Sequence, residues 1–246
     1  LYSRWAAGVH LYQRTFEEGL PKEDSIYSQD FKTQGRNVWG SISFPILKRY
    51  TPANRVTNMV FSLRYYRVKY IEGPDSWLDS EGFYSDKDTY LASIGVNHIG
   101  YEQDRYIFRH QDIEDIPIGR SVALIGGFQE NLGHRTPYLA GRLRYGAYFS
   151  LGYFSGDIQL GSFLAQERSK QTTLRWEFNY FSPLFTIGKW HFRQFVKWRS
   201  VVGFSRKDYA KDRITLNGAT GIAGFSSPTL SGLHKSILTF QSQSYS

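Results

Sequence analysis

Residues 137–154 read PYLAGRLRYGAYFSLGYF. In this stretch Leu139, Gly141, Leu143, Tyr145, Ala147, Phe149, Leu151 and Tyr153 share one parity, and Ala140, Arg142, Arg144, Gly146, Tyr148, Ser150 and Gly152 share the other. A pleated strand points successive side chains to opposite faces, so such a segment has one greasy face and one wet face. The pattern recurs downstream to residue 203. Ile158, Leu160 and Leu164 share a face, and Leu174, Trp176, Phe178 and Tyr180 oppose Thr173, Arg175, Glu177 and Asn179. Trp190, Phe192, Val196 and Trp198 oppose His191, Arg193, Lys197 and Arg199. A greasy face this long, aromatic and repeated suggests a sheet with its outer side toward lipid and its inner side toward water.

Outward from this core, strand patterns are expected at Arg4–Thr15, Val38–Leu47, Met59–Tyr70, Tyr90–His98, Arg105–Arg109, Ile118–Gln129, Tyr138–Phe154, Ile158–Gln166, Thr172–Phe181, Trp190–Val202 and His234–Ser242. Most run about 9 residues or longer, the length a tilted membrane strand needs and more than the usual strand of a soluble sheet. No amphipathic helix is visible, so the fold class is all-β, and the strand lengths point to a transmembrane antiparallel β-barrel. Long connections are expected at Glu17–Asn37, Ile71–Thr89 and Gly203–Leu233, and short ones near Thr51–Asn54, Ser155–Asp157 and Arg168–Lys170. In a membrane barrel long and short connections alternate between the two ends. Here they alternate only in part, which points to a missed or merged strand in the first half.

The 246-residue chain has no cysteine, which excludes disulfides and thiolate chemistry, and 17% of it is Phe, Trp or Tyr. Mean hydropathy is −0.44, and no run approaches the roughly 18 apolar residues of a membrane helix. That does not exclude a barrel, whose strands spend every second residue on a polar lumen. The net charge of +8 is spread over alternate strand positions and loops rather than gathered in one run, so no nucleic-acid partner is expected. The six histidines lack metal-ligand spacing. His110 near Asp112, Glu114 and Asp115 reads as a polar turn rather than an acid–base or metal site. No nucleophile elbow, phosphate loop or dinucleotide fingerprint is present. Neither catalysis, a metal nor a cofactor is expected.

Two residue sets carry the functional expectation. The basic set Arg142, Arg144, Arg175, His191, Arg193, Lys197 and Arg199 falls on the wet parity. It is either simply polar lumen or a positive interior that draws in an anionic loop or substrate. The aromatics Trp176, Tyr180, Trp190 and Trp198 fall on the greasy parity, as soluble-core residues or as an interfacial girdle. Trp190 and Trp198 lie eight residues apart, roughly 26 Å of strand, close to the apolar band of a barrel between its aromatic girdles. The glycine-rich segment Gly218–Phe225 can turn sharply and bury a Phe in a confined space, or serve as a flexible surface loop.

The order of strand, long loop, Gly221-Ile222-Ala223-Gly224-Phe225, then Leu230-Ser231-Gly232 and another strand resembles the superfamily of outer-membrane assembly and translocation barrels. That superfamily includes the assembly factor for β-barrel proteins and the two-partner secretion transporters. Its inward-folded loop carries Val/Ile-Arg-Gly-Phe/Tyr, matched here by Ile222, Gly224 and Phe225, with Ala223 in place of the family arginine. Ser121–Gly127 and Leu139–Leu151, with their Gly/aromatic alternation, look similar to members from the Bacteroidota. The resemblance implies a sixteen-stranded barrel preceded by periplasmic POTRA domains, of which the chain holds about eleven or twelve strands. Residues 1–246 would form an incomplete barrel domain, with loop 203–233 the sixth extracellular loop and 234–242 the twelfth strand. It implies a bacterial outer-membrane location, lipid and a client polypeptide as partners, periplasmic or lipoprotein accessory subunits, and insertion or translocation of polypeptides as the function. A passive, anion-preferring porin is the alternative, and a soluble β-sandwich or carbohydrate-binding module is a third possibility.

Overall fold

A computed structural model describes residues 4–22, 25–47, 56–79, 82–107, 112–164, 171–205, 214–216, 221–222, 224–225, 227 and 230–245. The chain forms β1 (Trp5–Lys22), β2 (Ser25–Leu47), β3 (Val56–Glu72), β4 (Lys87–Arg105), β5 (Ile113–Asn131), β6 (His134–Phe149), β7 (Gly152–Phe163), β8 (Thr172–Phe181), β9 (Phe185–Ile187), β10 (Trp190–Phe204), β11 (Ile214–Thr215), β12 (Ser231–Gly232) and β13 (His234–Tyr245). Eleven of these make one antiparallel sheet in the order β1-β2-β3-β4-β5-β6-β7-β8-β10-β13, with β9 pairing β10 beyond the end of β8. β11 and β12 pair with each other within the long connection after β10. Every step is antiparallel and sequential, so each strand returns beside its predecessor. Among the described residues no helix is long and apolar enough to cross a membrane.

The fold class is therefore all-β and antiparallel, and the ladder is open. Hydrogen bonding runs from β1 to β13 without joining those two strands to each other. The sheet nevertheless folds over its concave side, because Arg193 on β10 bonds Asp104 on β4, with four strands between them in the sheet.

Several expected boundaries move. Ser155-Gly156-Asp157 is not a turn; these residues lie inside β7 and pair with Asn179, Phe178 and Glu177. The turn instead falls at Ser150 and Leu151, between the paired ends Phe149 and Gly152. Gly152 there takes φ 123, a backbone region that L side chains avoid. Tyr138–Phe154 is thus parts of two strands, and Tyr153 is buried on the concave side rather than grouped with Leu139. Glu17–Asn37 is not a connection but mostly the facing arms of the β1–β2 hairpin, paired from Trp5–Ile42 to Lys22–Ser25. Arg105–Arg109 is not a strand of its own: β4 ends at Arg105. The expected connections Thr51–Asn54 and Arg168–Lys170 lie outside the described residues.

With these corrections the two longest connections, 73–86 and 205–233, fall at one end, which they share with the tight β1–β2 and β5–β6 turns, so loop lengths alternate only in part. The β2–β3, β4–β5, β6–β7 and β9–β10 connections lie at the opposite end, and all are short.

Side-chain alternation divides the sheet into two unlike faces. On the convex face Val9, Ile42, Leu63, Ile94, Val122, Leu124, Leu143, Leu160, Trp198 and Phe240 are each left exposed, and they come from β1 through β13. No helix or second sheet covers them among the described residues. On the concave face apolar packing is confined to the two ends. At the long-loop end Leu20 and Phe31 are buried, and Phe31 stacks on Phe16 and meets Tyr84 of the 73–86 connection. At the short-turn end Ile107, Ile116, Ile118, Tyr153 and Phe181 form a buried cluster with Phe195 and Tyr148 against it.

Candidate functional site

The concave face between these two apolar ends is the charged one, and register explains why. Arg142 and Arg144 on β6 lie opposite Gln159 and Asp157 on β7, and Arg175 and Glu177 on β8 face the same two β7 residues from the other side. β10 continues the row with Arg199 opposite Glu177, and Lys197 opposite Asn179. Asp157 accepts from Arg142 Nε at 2.9 Å and from Arg144 Nε at 3.0 Å. Lys197 Nζ lies 2.7 Å from Glu177 Oε1. A cavity of about 410 Å³ is lined by Arg144, Arg175, Asp157, Glu177, Asn179 and Ser155, among others. Arg142, Arg144, Arg175, Lys197 and Arg199 outnumber Asp157 and Glu177, so this wall stays positive after its pairs are counted.

Arg193 and His191 belong to a different part of the face. Arg193 is 3% exposed and donates to both Asp104 oxygens, Nη1 to Oδ2 at 2.9 Å and Nη2 to Oδ1 at 3.2 Å. Tyr148 donates its hydroxyl to the same carboxylate at 2.9 Å, and the guanidinium sits 4.9 Å from the Phe181 ring centre. His191 is hydrogen-bonded through Nδ1 to Thr186 Oγ1 and lies against the ring of Tyr106. Tyr106, at φ 58, turns the chain so that Ile107 enters the apolar cluster at 1% exposure. Its carbonyl accepts from the Tyr245 hydroxyl at 3.2 Å. Tyr106 and Ile107, just past β4, therefore reach across the concave side to β10 and β13 at the short-turn end.

From the other end comes the 205–233 connection. Arg199 Nη2 donates to the Gly221 carbonyl at 3.3 Å, and Lys235 Nζ donates to the Thr215 carbonyl at 3.1 Å. Gly221 is buried, Phe225 is half-buried and its N–H donates to the Ile222 carbonyl. Gly224 takes φ 75 with open space where a Cβ would go. Ile222 is 45% exposed, so the motif does not pack as one apolar block. Ala223 lies outside the described residues, as does His110.

The four aromatics take convex positions. Trp190 and Trp198 are exposed. Trp176 packs edge-on against Trp198 with ring centres 5.5 Å apart, and Tyr180 donates its hydroxyl to the Leu151 carbonyl. Nothing in the sequence singles out Asp104, Tyr148 or Ile107, and the Ser-Gly-Asp pattern places Asp157 in a turn. Asp157 carries a signal in hindsight: it has the parity of Gln159 and Tyr153 and faces two arginines on the preceding strand. Asp104 has none, because its partner is 89 residues away. Among the described residues no three His, Asp or Glu side chains converge as a metal ion would need. Comparison with protein-family models, characterised proteins and solved structures returns no match.

Proposed function

We propose that the chain forms wall strands of an outer-membrane β-barrel that inserts or translocates polypeptides, with its lumen held shut at rest. One observation carries the reading: a bare apolar convex face runs through the whole sheet, behind a charged concave face that is filled from both ends. In water so broad an apolar surface would be a large liability, whereas in lipid it is the required solvent match. On β6 the band from Leu139 to Phe149 covers ten residue steps, about 33 Å of strand and about 25 Å along the axis at a tilt near 40°. Lipid would leave the outer edges of β1 and β13 without hydrogen-bond partners, so on this reading both edges are paired in the membrane.

The filled lumen favours a gated translocator over an open pore. Arg199 holding the Gly221 carbonyl supplies, from the wall, a cation contact to the loop that Ala223 cannot supply. Client polypeptides, lipid and accessory periplasmic or lipoprotein subunits are the partners this function calls for, and no enzymatic step is part of it. The positive excess on the wall favours a second reading, a passive anion-preferring porin. Planar-bilayer recording separates the two. Small, flickering conductance supports the translocator, and a large, steady, anion-selective current supports the porin. Protein that stays monodisperse without detergent would overturn both.

A further inference from the structure

On β3 to β6 a polar row interrupts the apolar convex band. Thr57, His98, Arg120 and Tyr145 are direct cross-strand partners on β3, β4, β5 and β6. Tyr145 is 48% exposed between the inward Arg144 and the buried Gly146, which places its partner Arg120 on the convex side with Val122 and Leu124. Arg120 is itself exposed and makes no ion pair among the described residues. His98 is fixed by a 2.7 Å hydrogen bond between its Nδ1 and Thr57 Oγ1, which leaves Nε2 available.

Depth makes this row unusual. Tyr101, 63% exposed, marks the short-turn edge of the band on β4, and Tyr90 marks the other edge. His98 and Arg120 are one register row, three residues inside Tyr101, or about 8 Å along the axis for strands tilted near 40°. A guanidinium at that depth can snorkel toward the interface, and among the described residues no carboxylate forms an ion pair with it. Its planar fork matches a phosphate bidentately. Apolar surface surrounds the row on both sides, with Val96 and Val122 toward the middle of the band, so the anion that meets Arg120 must arrive with an apolar body attached.

We propose that this row binds the headgroup phosphate of an anionic lipid in the leaflet at the short-turn end. Arg120 grips the phosphate, and His98 and the Tyr145 hydroxyl add donors. The inference rests on the membrane reading given above, and its test separates the two. The protein is extracted in neutral detergent and titrated with phosphatidylglycerol, phosphatidylcholine or inorganic phosphate, and bound lipid is counted by native mass spectrometry.

The unaltered protein is expected to retain phosphatidylglycerol at least tenfold more tightly than phosphatidylcholine, with no displacement by inorganic phosphate. Equal retention of the two lipids, or competition by free phosphate, overturns the site without needing any variant. Arg120→Gln is expected to lose that preference, Arg120→Lys to keep part of it, and Arg135→Gln, at the opposite end, to keep all of it. Unchanged preference in Arg120→Gln overturns the proposal. So does a change of oligomeric state in place of lipid loss, which would assign the row to a protein neighbour. Failure of the protein to enter vesicles at all would refute the membrane reading, whereas insertion with no lipid preference refutes only the site.

Discussion

Removing Asp104 should free the short-turn end of the lumen, and the size of the effect follows from its partners. Its carboxylate holds the two-pronged bond from Arg193 and the hydroxyl of Tyr148. The Arg193 side chain keeps 4% of its exposure and that of Asp104 keeps 26%, so one charge is deeply buried and the other partly wet. Deleting one member of a buried pair typically costs 3–5 kcal/mol because the other charge is left uncompensated. The residual water at Asp104 places Asp104→Ala near the lower limit, about 3 kcal/mol. Arg193→Met removes the charge as well, and an apolar side chain suits the surrounding Ile107, Phe181 and Phe195. The double variant should therefore recover much of the loss, with a coupling of about 2 kcal/mol. Chemical unfolding in detergent micelles, followed by tryptophan fluorescence, measures all four corners of the cycle. In planar bilayers Asp104→Ala should also increase conductance noise. Losses that add within about 0.5 kcal/mol would refute the reasoning, since independent sites behave that way.

Leu143→Arg places a charge near the middle of the convex band on β6 and should cost about 2–4 kcal/mol in a bilayer, whereas an exposed position in water would tolerate it within about 0.5 kcal/mol; comparative unfolding from vesicles reads the difference. Arg199→Met removes the wall donor to Gly221, and Phe225→Ala trims the loop, so each should raise single-channel conductance; unchanged traces in both would count against a lumen occupied by residues 205–233. Gly119→Ala should destabilise by at least about 1–3 kcal/mol, because φ is 122 there and a Cβ would stand 1.9 Å from the His98 carbonyl oxygen; wild-type unfolding midpoints in that variant would argue against the kink at this residue.

The strands that sequence resolves best are those whose two faces meet different solvents. β6, β8 and β10 alternate cleanly because Leu143, Trp176 and Trp198 look one way, and Arg142, Glu177 and Lys197 the other. Legibility ends where that contrast ends. The outer arms of β1 and β2 run beyond the apolar band, where the outer face turns polar with Thr15, Glu17, Ser28 and Asp30, the inward Phe16, Leu20 and Phe31 are too widely spaced to set a period, and Gly-Leu-Pro-Lys-Glu-Asp at 19–24 reads like a loop. Ser155-Gly156-Asp157 has turn chemistry but strand geometry, since the concave side needs a carboxylate between Arg142 and Arg144. The true turn at Ser150-Leu151 carries only a serine as its turn signal, and Gly152 beside it takes the positive φ. The cluster at the short-turn end defeats a strict period of two. Ile116 and Ile118 face inward while Val122 and Leu124, also even-numbered, face outward, and the phase changes around Gly119. The Asp104–Arg193 pair depends on how the sheet folds over, which no local pattern records.

The two-solvent sheet is the centre of the account, and the absence of cysteine in the sequence makes it directly measurable. Single cysteines at Leu139, Leu143, Ile158 and Leu160, and at the concave positions Gln159, Ser121 and Thr173, can carry nitroxide labels in protein reconstituted into vesicles. Collision with oxygen against collision with a water-soluble nickel chelate then reports each label's solvent. The expected result is an alternation with period two, the convex labels reached by oxygen, most deeply near Leu143, and the concave labels shielded from it. Equal access of the nickel chelate to both sets would contradict a lipid-facing sheet.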